Sequence, residues 1–262
     1  MKQLLYILPL FAAASIVAGC EDFASADPDQ AVVEGYLHAG HTPQIKLNRQ
    51  LVIADGDTTY AQPLSGLVLT LTNQTTGESE VLSESASTAG TYEGKMVVRA
   101  EHSYKLTFDY AGKSVWAETT IPTAPQGFRG EKDTLWHTIL FSDDTIRRVN
   151  YYWDNPDNEY HLTQVTNMES WTKLIYEYAN TTPSRTITST PTQDTTYQVN
   201  SRGFSYYGRH YVILYKVNEE YVDLYYENSS NSQHLTNPST NVHNGFGIFT
   251  GMNSDTLILR LL

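Results

Sequence analysis

Short runs of alternating apolar and polar residues, separated by turn sequences, constrain the fold of this chain most strongly. Residues 67–72 alternate leucine with valine or threonine, and the run stops at the turn-forming stretch Asn73–Gly77. Residues 104–110 place four large side chains on one strand face, and residues 111–113 turn the chain into the next run. A period of two is typical of a strand with one buried face. The sequence therefore predicts an all-β fold that opens with an immunoglobulin-like β-sandwich over residues 31–124.

Proline and glycine lie close together at residues 123–127, where few apolar side chains occur. This composition is typical of a domain boundary. A second β-rich domain, either a sandwich or barrel-like, is therefore expected over residues 125–262. Its expected strands lie at 134–141, 146–153, 159–166, 195–202 and 210–217, with shorter ones at 245–249 and 257–259.

One short helix is predicted in the second domain. Asn218 can cap its start, and Tyr221, Leu224 and Tyr225 form a stripe at helical spacing that favours core packing over a binding surface. Residues 180–193 are rich in threonine, serine and proline, which predicts an exposed loop.

The amino terminus has the pattern of a bacterial lipoprotein signal. Lys2 precedes the apolar stretch Leu4–Val17, and two small residues then lead to Cys20. We interpret residues 1–19 as a signal peptide and Cys20 as the lipidated residue, with the outer-membrane lipid as its partner. Residues 20–30 are predicted to be an acidic flexible tether, which favours a position on the exterior face of the outer membrane. The alternatives are an ordinary secretory signal with an incidental cysteine, or a buried amino-terminal helix.

Composition excludes several classes of protein. The chain has 17 basic and 29 acidic residues, a net charge of −12, so nucleic acid is not an expected partner. Cys20 is the only cysteine, and it cannot form an internal disulfide. The 19 tyrosines suit β-strands or a surface that makes contacts through amphipathic rings.

No motif for catalysis or for a cofactor stands out, so the chain is predicted not to be an enzyme and to need no cofactor. His38 and His41 have a spacing seen in metal sites, but no third ligand is evident. Residues 55–57 start like a calcium loop and lack its later ligands, which favours a simple turn. The acidic pairs 143–144 and 219–220 leave a glycoside hydrolase open without favouring it.

Aromatic runs beside turns are the strongest indication of a binding site. Tyr152 and Trp153 precede one turn, and Tyr206 and Tyr207 precede another at Gly208. Exposed rings at strand ends could stack on an oligosaccharide or anchor a peptide or partner protein, so these four residues are the predicted ligand-binding set. The alternative is that the rings pack in the core or pair across strands.

Five segments together resemble one protein family, the lipoproteins known as domain of unknown function 4249. The matching segments are Ala31–Tyr36, Ile121-Pro122, Trp153–Pro156 with Tyr160 beyond it, Asn237-Pro238 and Asn244–Phe249. The family's Asp-Pro pair is split here as Asp154-Asn155-Pro156. The resemblance implies a companion of TonB-dependent outer-membrane receptors and no established activity.

These observations predict a non-catalytic lipoprotein on the outer-membrane surface that assists a TonB-dependent receptor in nutrient uptake. A structural or adhesive β-module of the cell surface is the alternative function, and a glycan hydrolase is the least favoured function.

Overall fold

The computed structural model describes residues 29–50, 62–137, 147–176, 182–229 and 239–262. Within them the first part of the chain forms β1 (Ala31–His38), β2 (Gln44–Arg49), β3 (Gln62–Pro63), β4 (Thr70–Asn73), β5 (Ser79–Val81), β6 (Ser83–Glu84), β7 (Thr91–Glu93), β8 (Ser103–Tyr110) and β9 (Lys113–Thr120). The second part forms β10 (Gln126–Gly130), β11 (Thr134–Leu135), β12 (Arg148–Asp154), β13 (Tyr160–Asn167), β14 (Thr186–Thr188), β15 (Thr196–Asn200), β16 (Gly208–Val217), β17 (Val242–His243) and β18 (Phe246–Leu261). Helix α1 spans Glu219–Ser229, and a short 3-10 turn spans Ser201–Gly203. The all-β prediction with a single short helix is confirmed.

The order of the strands identifies the first sandwich. One sheet contains β1-β2-β7-β6, and the facing sheet contains β5-β4-β8-β9. In immunoglobulin nomenclature these are strands A-B-E-D against C′-C-F-G, and the prediction of an immunoglobulin-like sandwich is confirmed. Its core includes Leu47, Leu71, Leu106 and Phe249, all fully buried.

A tyrosine at the start of β8 reinforces this assignment. The Tyr104 ring is fully buried, and its hydroxyl accepts a hydrogen bond from the backbone amide of Arg99 at 2.8 Å. Immunoglobulin-like domains use a tyrosine in this way to hold the corner that precedes strand F. The following hairpin between β8 and β9 turns through Ala111 and Gly112, which both have positive φ, as a type I′ turn requires.

The last strand belongs to both halves of the molecule. The first part of β18 pairs in parallel with β1, from Val32 beside Phe246 to His38 beside Met252. The rest of β18 pairs antiparallel with β16 and ends where Gly208 lies opposite Leu261. The short β17 likewise joins the first sandwich, because it pairs with β9. The sheet that begins with the amino-terminal strands therefore continues without a break into the second half.

The second half is also a sandwich. Strands β10-β12-β15 form a sheet that faces β14-β13-β16-β18 across a separate apolar core. Along the chain, the first core has residues up to Ile121 before the second core starts at Phe128, close to the predicted boundary. However, Val242 and Phe249 pack in the first core, so residues 125–262 do not form a self-contained unit. The boundary at 124 itself stays a prediction.

Several local expectations differ from the structure in detail. Helix α1 starts directly after Asn218 as predicted, but its most buried side chain is Val222, which packs with Leu162 and Val217. The predicted loop at 180–193 contains β14, because backbone pairing with β13 does not require apolar side chains. The predicted strand at 134–141 is only Thr134–Leu135 within the described residues.

The described residues contain no helix long and apolar enough to cross a membrane.

Candidate functional site

The structure separates the four predicted ligand-binding aromatics. Alternation along β12 turns Trp153 into the second core and Tyr152 outward. The Tyr152 hydroxyl donates a 2.8 Å hydrogen bond to Glu131, and the Arg129 guanidinium lies 5.7 Å from the centre of the ring. The hydrogen bond to Glu131 is the main reason why the pKa of Tyr152 is raised. Tyr152 is therefore an accessible ring that is already engaged by its own sheet.

Trp153 and Tyr206 are buried, so the expectation that they are exposed does not match their positions. Trp153 is 2 % exposed and packs near the His161 ring, with 5.7 Å between the ring centroids. Tyr206 is also buried, and its hydroxyl donates to the Pro183 carbonyl at 2.9 Å. Their faces are covered by protein, which is the alternative considered for these runs. The binding role of Tyr152 and Tyr207 stays a prediction.

Tyr207 lies in a group of three aromatic side chains and one lysine that we call the distal cluster. It is formed by His137, Lys173, Tyr176 and Tyr207. The His137 ring packs edge-on against Tyr176 and Tyr207, with ring centroids 5.6 and 6.1 Å away. The Tyr176 hydroxyl and His137 Nε2 are 3.2 Å apart. The Lys173 ammonium lies 5.3 Å from the centre of the Tyr207 ring, within the range of a cation–π contact.

Backbone bonds hold the distal cluster in place. The amide of His137 donates to the carbonyl of Leu262 at 2.7 Å, and the amide of Tyr207 donates to the carbonyl of Lys173 at 2.9 Å. The ring of His137 is fixed as well, because its Nδ1 can only donate to the Ser201 carbonyl, 3.2 Å away. In the neutral imidazole Nε2 then accepts the Tyr176 hydroxyl. The four side chains are thus preorganised by three separate chain segments.

Exposed tryptophans occur on the same segments. Trp171, two residues before Lys173, is 93 % exposed, and Trp136, next to His137, is 56 % exposed. Tyr176 is 46 % exposed. Large rings held at this level of exposure are typical of surfaces that bind a partner or stack on a ligand.

The sequence identified only Tyr207 from this group. The other three side chains reach it from positions tens of residues away, and no local pattern links them. Their only common signal is chemical type, since Trp136-His137 and Trp171 to Tyr176 are further ring-rich segments.

A second candidate site is a cleft of about 500 Å³ between the two sandwiches, which we call the junction cleft. It is formed by the end of β9 with the linker that follows, the loop before β13, and the end of β16 with the start of α1. Its lining residues are Glu118, Thr119, Thr120, Pro122, Asp157, Asn158, Glu159, Tyr160, Lys216, Val217, Asn218, Glu219 and Glu220. The predicted acidic pair 219–220 lies here, on the first turn of the helix.

The structure also places the histidine pair whose spacing is seen in metal sites. His38 and His41 do meet, with ring centroids 4.6 Å apart. No group of three or more histidine, cysteine, aspartate or glutamate side chains that could bind a metal occurs in the described part of the chain. Cys20 and the acidic residues at 55–57 and 143–144 lie outside that part.

Comparisons with solved structures, curated proteins and family models show what this chain is similar to. A two-domain fibronectin type III segment of chicken tenascin is 11 % identical, covering 88 % of this chain and 99 % of that one, with a TM-score of 0.25. Chicken CNTN1 FN1–FN3 domains are 10 % identical, covering 88 % of this chain and 64 % of that one, with a TM-score of 0.30. At these scores the fold assignment depends on the strand order and the Tyr104 corner alone. No curated protein matches the chain. A family model does match, over residues 21–258, and the chain therefore belongs to the family described as domain of unknown function DUF4249.

Proposed function

We propose that this protein is a non-catalytic, lipid-anchored module that presents its distal cluster to a partner at the surface of the outer membrane. The proposed partner is the barrel of a TonB-dependent receptor, which the module assists in taking up a nutrient. The proposal combines the lipoprotein signal that ends at Cys20 with the distal cluster and the exposed rings of Trp136 and Trp171 beside it.

One geometric observation carries the proposal: β18 starts beside β1, the first described strand, and ends beside β11, next to the distal cluster. The first residue of β18 lies beside Val32, only 12 positions after Cys20. The last residues of β18 pair with β11, directly before Trp136 and His137. Sixteen strand residues at about 3.3 Å each separate these ends by up to ~50 Å. An anchor at Cys20 is thus compatible with a distal cluster that stands away from the lipid surface by up to this distance.

The distal cluster suits binding better than catalysis. Its groups are aromatic rings, one imidazole and one ammonium, and their hydrogen bonds run mainly to backbone carbonyls or to each other. Such a set offers stacking, cation–π and hydrogen-bonding contacts to a partner surface. A nutrient that passes through the receptor, such as an oligosaccharide or a peptide, could engage the same rings.

Copurification of the native acylated protein from gently solubilised membranes tests this proposal. We expect a stoichiometric TonB-dependent barrel with the unmodified chain, and its loss with the double variant Trp171→Ala/Tyr176→Ala. Tyr36→Ala is the matched control, because Tyr36 is 42 % exposed but lies on β1 in the first sandwich. A protein that is recovered alone in every case refutes the receptor partnership.

The exterior location has its own test. Protease added to intact cells should digest the protein, and protection until the cells are lysed would rule out the surface position. If the protein is surface-exposed, recovered alone and assembles into higher oligomers when purified, the adhesive β-module becomes the better explanation.

A further inference from the structure

The junction cleft has the size and position of a small-molecule site. Its volume of about 500 Å³ lies within the range of ligand pockets, which occur preferentially at domain interfaces. Residues from the first sandwich, the linker and the second sandwich all contribute to its walls. The cleft is separate from the distal cluster and plays no part in the proposed receptor contact.

Among the described residues that line the cleft, Lys216 is the only cation, and its ammonium already has partners. The Lys216 side chain is 9 % exposed, and its ammonium donates to the Thr123 hydroxyl at 2.7 Å. The same ammonium forms an ion pair with Glu159. An anionic ligand would have to displace these partners, so Lys216 serves as a fixed part of the wall.

The acceptors in the cleft are also held in place. Oε1 of Glu220 accepts hydrogen bonds from the hydroxyls of Thr119 and Thr250, at 2.9 and 3.1 Å. It also accepts one from the side-chain amide of Asn218, at 3.1 Å. The Asn218 amide also donates to the Thr120 carbonyl at 2.9 Å. A ligand would meet a carboxylate and an amide whose orientations are set before it binds, which lowers the entropic cost of binding.

The charge of the lining selects among ligands. Five carboxylates face one ammonium, and Asp157 and Glu219 are exposed carboxylates of that lining. This excess repels anions and attracts cations. The carboxylates are not grouped in a way that could bind a metal ion, as the geometry of the described residues shows. The charge therefore favours a cation whose positive groups are spread over several atoms.

The apolar side chains of the lining indicate what the uncharged part of the ligand is. Pro122, Tyr160 and Val217 line the same cleft as the carboxylates. We propose that the junction cleft binds a small organic cation in which methylene segments separate two or more amino groups. The amino groups donate to the carboxylates and to Asn218, and the methylene segments pack against the apolar side chains. Tyr160 adds a ring that can attract a nearby ammonium.

Isothermal titration of the acylated full-length mature chain with spermidine tests the inference. The double variant Asp157→Asn/Glu219→Gln removes two exposed carboxylates of the lining without touching the hydrogen bonds of Glu220. We expect it to weaken spermidine binding about tenfold at low salt, as the loss of two exposed charge pairs implies. The matched control is Asp109→Asn/Glu93→Gln, which makes the same change in net charge on the first sandwich and should alter the affinity by less than about twofold.

Three results would overturn the inference: no binding of spermidine, equal losses in the two double variants, or competition by a neutral sugar at least as effective as by a second diamine. Equal losses would mean that the overall negative charge attracts the cation without a specific site. Since the cleft variants leave Trp171 and Tyr176 intact, receptor copurification should be the same with them as with the unmodified chain. The two proposals can therefore fail independently.

Discussion

Replacing Tyr151 by phenylalanine should stabilise this protein, although it deletes a polar group from the core. Tyr151 is 1 % exposed on β12, and its hydroxyl has no hydrogen-bond partner in the described residues. Burial raises the pKa of this phenol. A buried hydroxyl without a partner costs about 1–3 kcal/mol. Because phenylalanine keeps the ring and removes that cost, we expect the free energy of unfolding to rise by about 1 kcal/mol.

Tyr104 provides the matched comparison, since the same substitution there should have the opposite effect. Its ring is fully buried too, but its hydroxyl accepts hydrogen bonds from the Arg99 amide at 2.8 Å and from the Asn73 side chain at 3.3 Å. Phenylalanine would leave both donors without this acceptor. We expect Tyr104→Phe to lower the free energy of unfolding by about 1–2 kcal/mol.

Urea denaturation of the three proteins measures both effects. The slope of the free energy against urea should stay the same, so that the midpoint reports stability alone. A change of about 1 kcal/mol should also move the thermal midpoint by about 2–4 °C for a chain of this size. If Tyr151→Phe destabilises as much as Tyr104→Phe does, the Tyr151 hydroxyl has a partner such as an ordered buried water, and the reasoning is refuted.

Two other features, the buried histidines and the close backbone approach at Gly247, can be tested by thermal denaturation. Burial lowers the pKa of the His161 and His210 imidazoles, so the folded state binds fewer protons than the unfolded state. The stabilising contribution of the neutral His161 and His210 should therefore be fully present above about pH 6.5, and it should fall as the pH drops below that value, by up to ~1.4 kcal/mol per pH unit for each histidine. Thermal midpoints measured from pH 7.5 to 5 should show a flatter profile for His210→Asn than for the unmodified chain. Gly247 has φ of +95°, and a Cβ there would lie 2.0 Å from the Val33 carbonyl oxygen, so Gly247→Ala should cost more than ~3 kcal/mol. Gly40→Ala, at φ of +81° with nothing within 4 Å, should cost about 1 kcal/mol, and similar thermal midpoints for the two variants would contradict the role of the close approach.

Several strands of the first sandwich could be predicted because each carries its own evidence. Residues 104–110 alternate cleanly, and Ala111-Gly112 provides the positive φ values of a hairpin turn. The pairing of these strands follows from short connections between neighbours. Local pattern and tertiary structure therefore agree in this part of the chain.

The candidate site could be predicted only in part, because ring-rich runs do not reveal which ring faces the core. In Tyr151-Tyr152-Trp153 alternation guarantees that the middle residue differs from its neighbours, but either orientation fits the sequence. The facing sheet decides the matter, and it buries Tyr151 and Trp153. The distal cluster was beyond prediction for a different reason: His137 and Tyr176 are joined by a hydrogen bond across 39 positions.

The sequence predicts two short strands, at 245–249 and 257–259, where the structure has the single strand β18. The cause of this difference also explains how the molecule is organised. Its middle residues, Asn253 to Thr256, are polar and resemble a break between apolar segments. They are the place where the strand leaves the first core and enters the second, so no single apolar face is required there. Asn253 is buried at this crossing and donates to the Pro122 carbonyl at 3.0 Å, which ties the linker to the strand. One continuous strand therefore connects β1, at the start of the first sandwich, with β11, directly before the distal cluster residue His137.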